Sequence, residues 1–163
     1  MDNIKIYELD EKYVDYLAPH EPHLFQNKKS NQTNSRKYIG VVLEVNGMKY
    51  FAPLSSFKEK HKRMSETLDF IKVKNYAVIN LNNMFPVPEG KYSYVDISKE
   101  RNLKYKQLLL AEYRYMKTIQ EKIRKNANTL YKLKTSGVEE SSLVKRCNDF
   151  VKLENLCRSY KIK

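Results

Sequence analysis

The sequence predicts an α+β fold, with an antiparallel sheet of about six strands in its first part and a long C-terminal amphipathic helix with further helices after it. Three observations lead there. β-rich runs separated by turn residues recur through residues 4–97, an Asn46-Gly47 pair joins two of them, and from Lys99 the apolar period changes from two to between three and four. A chain of 163 residues suits one domain spanning 1–163, mostly β over 1–98 and mostly helical over 99–163.

Residues 4–9 alternate apolar and polar side chains as a short strand does, and Asp10 can cap a brief helix carrying Tyr13, Tyr16 and Leu17. Pro19 and Pro22 end it. Residues 18–35 offer only Leu24 and Phe25 for burial and read as a long exposed loop, a length that tends to be functional or disordered. Residues 38–45 and 48–54 form a hairpin around Asn46-Gly47. Gly40 marks a bulge or bend in its first strand, and Pro53, which has no N–H, belongs at an edge or a strand end. Further strands are expected at 68–73, 77–81 and 92–97, parted by Lys74-Asn75, Asn82-Asn83 and the turn-forming run 86–90.

Leu109, Tyr113, Met116, Ile119, Ile123, Ala127 and Leu130 then recur at steps of three and four, the buried stripe of a long helix. Gly137 breaks it. Residues 139–160 supply a second helical stretch through Leu143, Phe150, Leu153 and Leu156.

The 31 Lys and Arg against 19 Asp and Glu leave a formal charge of +12. The excess is uneven: residues 1–98 hold 14 basic and 12 acidic side chains, residues 99–163 hold 17 and 7. Such a field suits a polyanionic partner, although a lysine-rich solvated helix surface would give the same composition. Cys147 and Cys157 fit neither a CxxC pattern nor a disulfide framework and read as packing residues. No apolar run approaches the ~18 residues of a membrane span, so a cytoplasmic protein without membrane contact is expected.

A phosphate-cradling Gly-rich loop, a GxSxG elbow and an HExxH pair are all absent. The histidines are His20, His23 and His61; Pro22 keeps the first two from sharing a helical face, and no metal or cofactor is expected. The informative run is Lys49-Tyr-Phe-Ala-Pro-Leu-Ser55-Ser56-Phe-Lys58-Glu-Lys60-His61-Lys62-Arg63. Its hydroxyls, ammonium and imidazole are the groups that RNA cleavage uses: donors for phosphate oxygens, a cation and a proton carrier. On composition alone, a helix cap followed by a solvated lysine is the commoner origin of such a run.

That run resembles the signature of the ToxN/AbiQ family, a Tyr-Phe/Leu-Ala-Pro-Leu-Ser/Thr-Ser-x-Lys segment with a histidine at the same spacing. Tyr38-Ile-Gly-Val-Val-Leu-Glu-Val-Asn-Gly47 is similar to the family's hairpin, Ile79-Asn-Leu-Asn-Asn-Met-Phe-Pro-Val-Pro88 to its Asn-rich Met-Ile-Pro strand, and Tyr105-Lys-Gln-Leu-Leu109 to its helix start. The family comprises endoribonuclease toxins of type III toxin-antitoxin pairs. The resemblance implies a strongly bent, SH3-like antiparallel sheet or partial barrel, and RNA cleavage by the substrate's own 2′-OH to leave a 2′,3′-cyclic phosphate without metal or cofactor. It also implies an inhibitory antitoxin RNA, processed from a repeated precursor into pseudoknots that close into an assembly with the protein. Substrate mRNA and the antitoxin precursor are then the RNAs cut, and DNA, lacking the 2′-OH, is not.

Residue by residue, the resemblance implies that Ser56 is the essential serine, Ser55 the hydroxyl before it and Lys58 the lysine two beyond. Lys58 would meet the nonbridging oxygens, and Ser55 and Ser56 would hydrogen-bond the phosphate, either being a candidate proton shuttle. Tyr13 matches a tyrosine near the family's site, with a place in the core as its alternative. Arg36 stands where relatives carry a lysine, and the tyrosine that precedes that lysine in relatives has no counterpart in 25–35. His61 matches by spacing, for proton transfer or for RNA contact. Lys28, Lys29, Lys60, Lys62, Arg63, Lys106, Arg114 and Lys117 are the expected RNA-binding cations. Two other classes share the charge: a non-catalytic basic RNA-binding protein, which needs no Ser55-Ser56-x-Lys58 cluster, and a protein whose basic surface meets an acidic protein.

Overall fold

Local chemistry sets each element of the computed structural model, which describes residues 2–24, 36–137 and 141–160. The strands are β1 (Lys5–Leu9), β2 (Lys37–Val45), β3 (Met48–Ser56), β4 (Phe70–Val73), β5 (Ala77–Asn80), β6 (Phe85–Val87) and β7 (Tyr92–Tyr94). They form one antiparallel sheet in the order β4-β5-β3-β2-β1-β7, with β6 branching from β3. The helices are α1 (Glu11–Leu17), α2 (Leu103–Thr135), α3 (Ser142–Lys145) and α4 (Phe150–Ser159). The α+β class and its long helix are as the periodicity predicts, with seven strands in place of about six.

Asn46 and Gly47 take positive φ of 50° and 80°, as a two-residue turn matching the twist of the strands requires, and β2 pairs with β3 across them. The ladder between these strands shifts register between Gly40 and Leu43, a bulge that bends the pair. A Cβ added at Gly40 would lie 2.3 Å from the ring of Phe51, which is fully buried. Gly40→Ala is therefore expected to cost about 1–3 kcal/mol through overpacking, read as a lowered denaturant midpoint. An unchanged midpoint would mean that the ring moves aside freely.

Pro53 lies within β3 rather than at an edge or strand end. The other flank of β3 carries β6 at Lys49–Phe51 and β5 at Leu54–Ser56, so Pro53 falls in the gap between two partners, where its missing N–H is not needed. The strand β6 was hidden in the sequence because Pro86 reads as a turn residue. Pro86 sits opposite Tyr50 on a strand paired on one side only, and its carbonyl accepts a hydrogen bond from the Tyr13 hydroxyl at 2.6 Å.

Alternation along the strands gives the sheet two apolar faces. Ile6, Ile39, Ala52, Leu54, Ile71 and Ile79 pack against Leu109, Met116, Ile123, Ala127 and Leu130 of α2. On the opposite face Leu9, Tyr38, Phe51 and Phe85 pack against Tyr13, Val14 and Leu17 of α1 and Leu153 of α4. Asp10 caps α1 by accepting from the Lys12 amide at 2.8 Å, and Asn102 caps α2 through the Tyr105 amide at 3.0 Å. The second helical stretch divides into α3 and α4, because Asn148 donates its backbone N–H to the Asn82 carbonyl and Asp149 opens a new cap on the Lys152 amide. Glu154 on α4, 5% exposed, accepts from both Tyr50 and Tyr131, at 2.6 and 2.7 Å. This carboxylate ties α4 to β3 and α2. Both cysteines are buried free thiols.

Several cations of the C-terminal part are occupied by the fold itself. Arg146 forms a two-pronged pair with buried Asp69 at 2.6 and 2.8 Å, and Lys122 pairs with Glu66 at 2.8 Å. Arg124 donates to the carbonyls of Val41 and Asp2, and Lys134 to that of Val144. The net charge, which already counts both signs, is unchanged by these contacts, but these cations are held in place rather than free to reach out to a partner.

Candidate active site

Ser55 and Ser56 close β3, opposite Val78 and Ala77 of β5. Successive residues of a strand face opposite sides. Ser55, half-buried, shares the side of Pro53 and Phe51, and its Oγ accepts a hydrogen bond from Nη1 of Arg36 at 3.0 Å. Ser56 is exposed on the other side. The two hydroxyls flank the strand end instead of lying side by side, so one phosphate reaches both only by sitting across that end. The structure thereby joins Arg36 to the serine segment, a contact between residues 19 apart. Burial draws the Arg36 guanidinium below its ordinary pKa, with Tyr38 opposing the shift, and an arginine so placed keeps its charge.

Beyond Ser56 the chain is still extended at Lys58 (φ −109°, ψ 165°), and then turns through the 3₁₀ segment Glu59–Arg63. His61 holds that turn. Its Nδ1 accepts from the Lys58 backbone N–H at 2.8 Å while the backbone N–H of His61 donates to the Lys58 carbonyl at 2.9 Å. The imidazole is 6% exposed and lies against Phe57 and Phe70, with centroids 5.6 Å from each. Burial, then Lys60, Lys58 and Lys72, push its pKa below the usual histidine value. His61 is therefore neutral at pH 7 with its proton on Nε2, and what its geometry supports is positioning of Lys58 rather than proton transfer. Lys72 on β4 is the cation that sequence reasoning passed over; only its place on the sheet beside the turn reveals it.

Tyr13 is not brought to this strand end. It is fully buried among Tyr16, Tyr160 and Pro86, and burial drives its phenol pKa far upward. Its hydroxyl lies level with Tyr50, five residues back along β3 from Ser55, or roughly 16 Å of strand. This is the core alternative for Tyr13, and it removes the residue from the candidate site. Tyr38, next in line after Arg36 on the same sheet face, has a buried hydroxyl with no partner among the described residues.

Of the expected RNA-binding cations, Lys60, Arg63, Arg114 and Lys117 are exposed. Lys62 is paired with Glu59 at 3.1 Å, and Lys106 spends its ammonium on the Ser98 carbonyl at 3.2 Å. Lys28 and Lys29 lie outside the described residues. A groove of about 900 Å³ opens elsewhere, lined by Asp10, Tyr16, Lys91 and Tyr160 among others, and none of the residues at the end of β3 lines it. Among the described residues no three His, Cys, Asp or Glu side chains are grouped to hold a metal ion, and no helix is long and apolar enough to cross a membrane.

Residues 5–158 match the family model described as toxin ToxN, type III toxin-antitoxin system. The chain belongs to the ToxN/AbiQ family. It is 32% identical over 168 aligned positions to the endoribonuclease ToxN of Bacillus thuringiensis subsp. kurstaki, covering 98% of this chain and 86% of that one. It is 30% identical to the endoribonuclease ToxN of Pectobacterium atrosepticum, covering 96% and 94%. Among solved structures, one from work on selective toxin inhibition by a non-coding RNA pseudoknot superposes with a TM-score of 0.86 at 28% identity, covering 99% of this chain and all of that one. The fold is also that of AbiQ, a lactococcal anti-phage endoribonuclease, with a TM-score of 0.81 at 24% identity over 96% and 97% of the two chains.

Proposed function

We propose that this chain is the endoribonuclease toxin of a type III toxin-antitoxin pair, cutting RNA at specific sequences by internal transesterification and held inactive by a folded non-coding RNA. The observation that supports it most is the Arg36–Ser55 hydrogen bond, which brings a second cation to the strand end that carries Ser56 and Lys58. Kinship with the ToxN proteins supports the class of reaction, and the structures of relatives inhibited by RNA support the kind of partner.

In that reaction the ribose 2′-OH attacks the adjacent phosphorus and gives up its proton. The P–O5′ bond breaks and the 5′ oxygen takes a proton, leaving a 2′,3′-cyclic phosphate and a 5′-OH. The nucleophile belongs to the substrate, so the protein's tasks are alignment, charge neutralisation and proton transfer. Lys58 and Arg36 meet the charge growing on the nonbridging oxygens, Arg36 with a planar fork where a lysine would offer a point charge. Ser55 accepts from Arg36, so its own O–H hydrogen remains for a phosphate oxygen. Ser56 offers a hydroxyl from the other side of the strand end. The proton path runs through a serine hydroxyl, His61 being neutral, enclosed and engaged with the Lys58 backbone. No step requires a metal ion.

The chemistry is tested with an oligoribonucleotide carrying one 2′-deoxy residue at the cleaved position. Cleavage there is expected to stop, and the all-ribose strand is expected to yield a cyclic phosphate end in the presence of chelator. Cutting at the deoxy position, or a product bearing a 5′-phosphate, would overturn the mechanism.

A further inference from the structure

The far edge of the sheet carries a cluster of tyrosines that the proposed reaction does not use. Tyr7 on β1 lies directly opposite Tyr94 on β7, and Leu9 opposite Tyr92. The Tyr7 ring meets Phe51, Tyr92 and Tyr94 edge-on, with centroids at 5.1, 5.7 and 6.3 Å. The cluster grades outward from buried Phe51 through half-buried Tyr7 and Tyr92 to Tyr94, which is 55% exposed. Lys5, two residues before Tyr7 and hence on the same face, holds its ammonium 5.2 Å from the centre of the Tyr94 ring. Lys49 donates to the Tyr92 hydroxyl at 3.4 Å and pairs with Glu89 at 3.0 Å, fixing that ring.

We propose that Tyr94, backed by Tyr7 and Lys5, is a platform on which an unpaired base of bound RNA stacks. The inference rests on the RNA-binding reading above and adds a contact to it. Aromatic side chains on adjacent strands of an exposed sheet are a recurrent way of holding single-stranded RNA, since every base presents a π-face and a neighbouring cation can meet its phosphate. A protein or lipid partner would call for a wider apolar patch. The other large apolar residues exposed among the described ones, Met64, Leu103, Leu108, Leu133 and Val151, belong to a loop, to α2 and to α4, not to this edge. Three strand spacings, about 14 Å, separate β7 from β3, so the platform is a contact distinct from the scissile phosphate.

The sequence has no tryptophan, so Tyr94→Trp supplies a single fluorescent reporter. In the full chain carrying Ser56→Ala to prevent cleavage, a short unpaired oligoribonucleotide is expected to quench that emission, and a duplex of the same composition, whose bases already stack on one another, is expected not to. In the same background Tyr94→Ala is expected to raise Kd for the unpaired strand about tenfold, the loss of one stacked base, and Tyr94→Phe to restore it. Unchanged affinity in Tyr94→Ala, or equal quenching by duplex and single strand, would overturn the platform while leaving the RNA-binding reading intact. Failure of the chain with Tyr94 in place to bind any RNA would overturn both.

Discussion

Ser56→Ala is expected to lower cleavage by roughly a hundred- to a thousandfold, the cost of removing one hydrogen-bond donor aimed at charge that develops in a transition state. RNA affinity is expected to stay close to that of the unaltered chain, because one neutral hydroxyl contributes little beside the cations around it. Ser56 is exposed at the end of β3, where removing a hydroxyl changes stability by no more than about 0.5 kcal/mol. Lost activity at an unchanged denaturant midpoint therefore speaks to chemistry and not to folding. Lys58→Met is the companion: it removes an exposed charge two residues beyond Ser56 and is expected to weaken RNA binding as well as cleavage, and its effect on binding alone shrinks as salt rises. Cleavage at the original rate in Ser56→Ala would move the active site away from β3. A basic protein that binds RNA without cutting it would leave Ser56→Ala with no cleavage to lose, and Lys58→Met would then lower binding alone.

The sequence made parts of this site legible and concealed others for identifiable reasons. Asn46-Gly47 announces the hairpin because few dipeptides accept two positive φ angles, and the apolar stripe from Leu109 to Leu130 announces α2 because one face must be buried along its whole length. Ser55, Ser56 and Lys58 form a run that on its own reads more often as a helix cap, and it is the resemblance that singles them out. Their sides could not be read, since that depends on where β3 ends, and its last paired residue is Ser56 itself. Arg36 could be suspected only from the resemblance, and its bond to Ser55 comes from strand register, which no local pattern encodes. His61 carries the residue type of a proton carrier, yet its surroundings, two aromatic rings and three lysines, are supplied by β4 and the turn together. Lys106 and Lys122 look like free charge in a sequence and are occupied in the fold. Pro86 hid β6 because a proline's usual meaning changes on a strand that pairs along one side.

Glu112→Gln is expected to stabilise the protein above neutral pH by up to roughly 3 kcal/mol. Glu112 lies on the buried face of α2 and is 4% exposed, and burial raises its pKa from 4.5 to about 7. Nearby Tyr105 is pushed up to about 12, by its own burial first and then by Glu112, Glu100 and Glu8. A carboxyl that holds its proton more tightly when folded has no charge to bury below about pH 4.5, where both states are protonated. As pH rises toward 7 the unfolded chain ionises first, and folding then carries the full penalty of burying or neutralising that group above pH 7. The wild-type chain should therefore lose stability between about pH 4.5 and 7 through this residue, and the glutamine variant should not. Denaturant midpoints at about pH 4 and about pH 8 check it: the variant's advantage is expected at the higher pH and should nearly vanish at the lower, where the carboxyl is protonated in both states. An equal gap at both values would mean that the substitution acts through packing and that Glu112 finds a counter-charge when ionised.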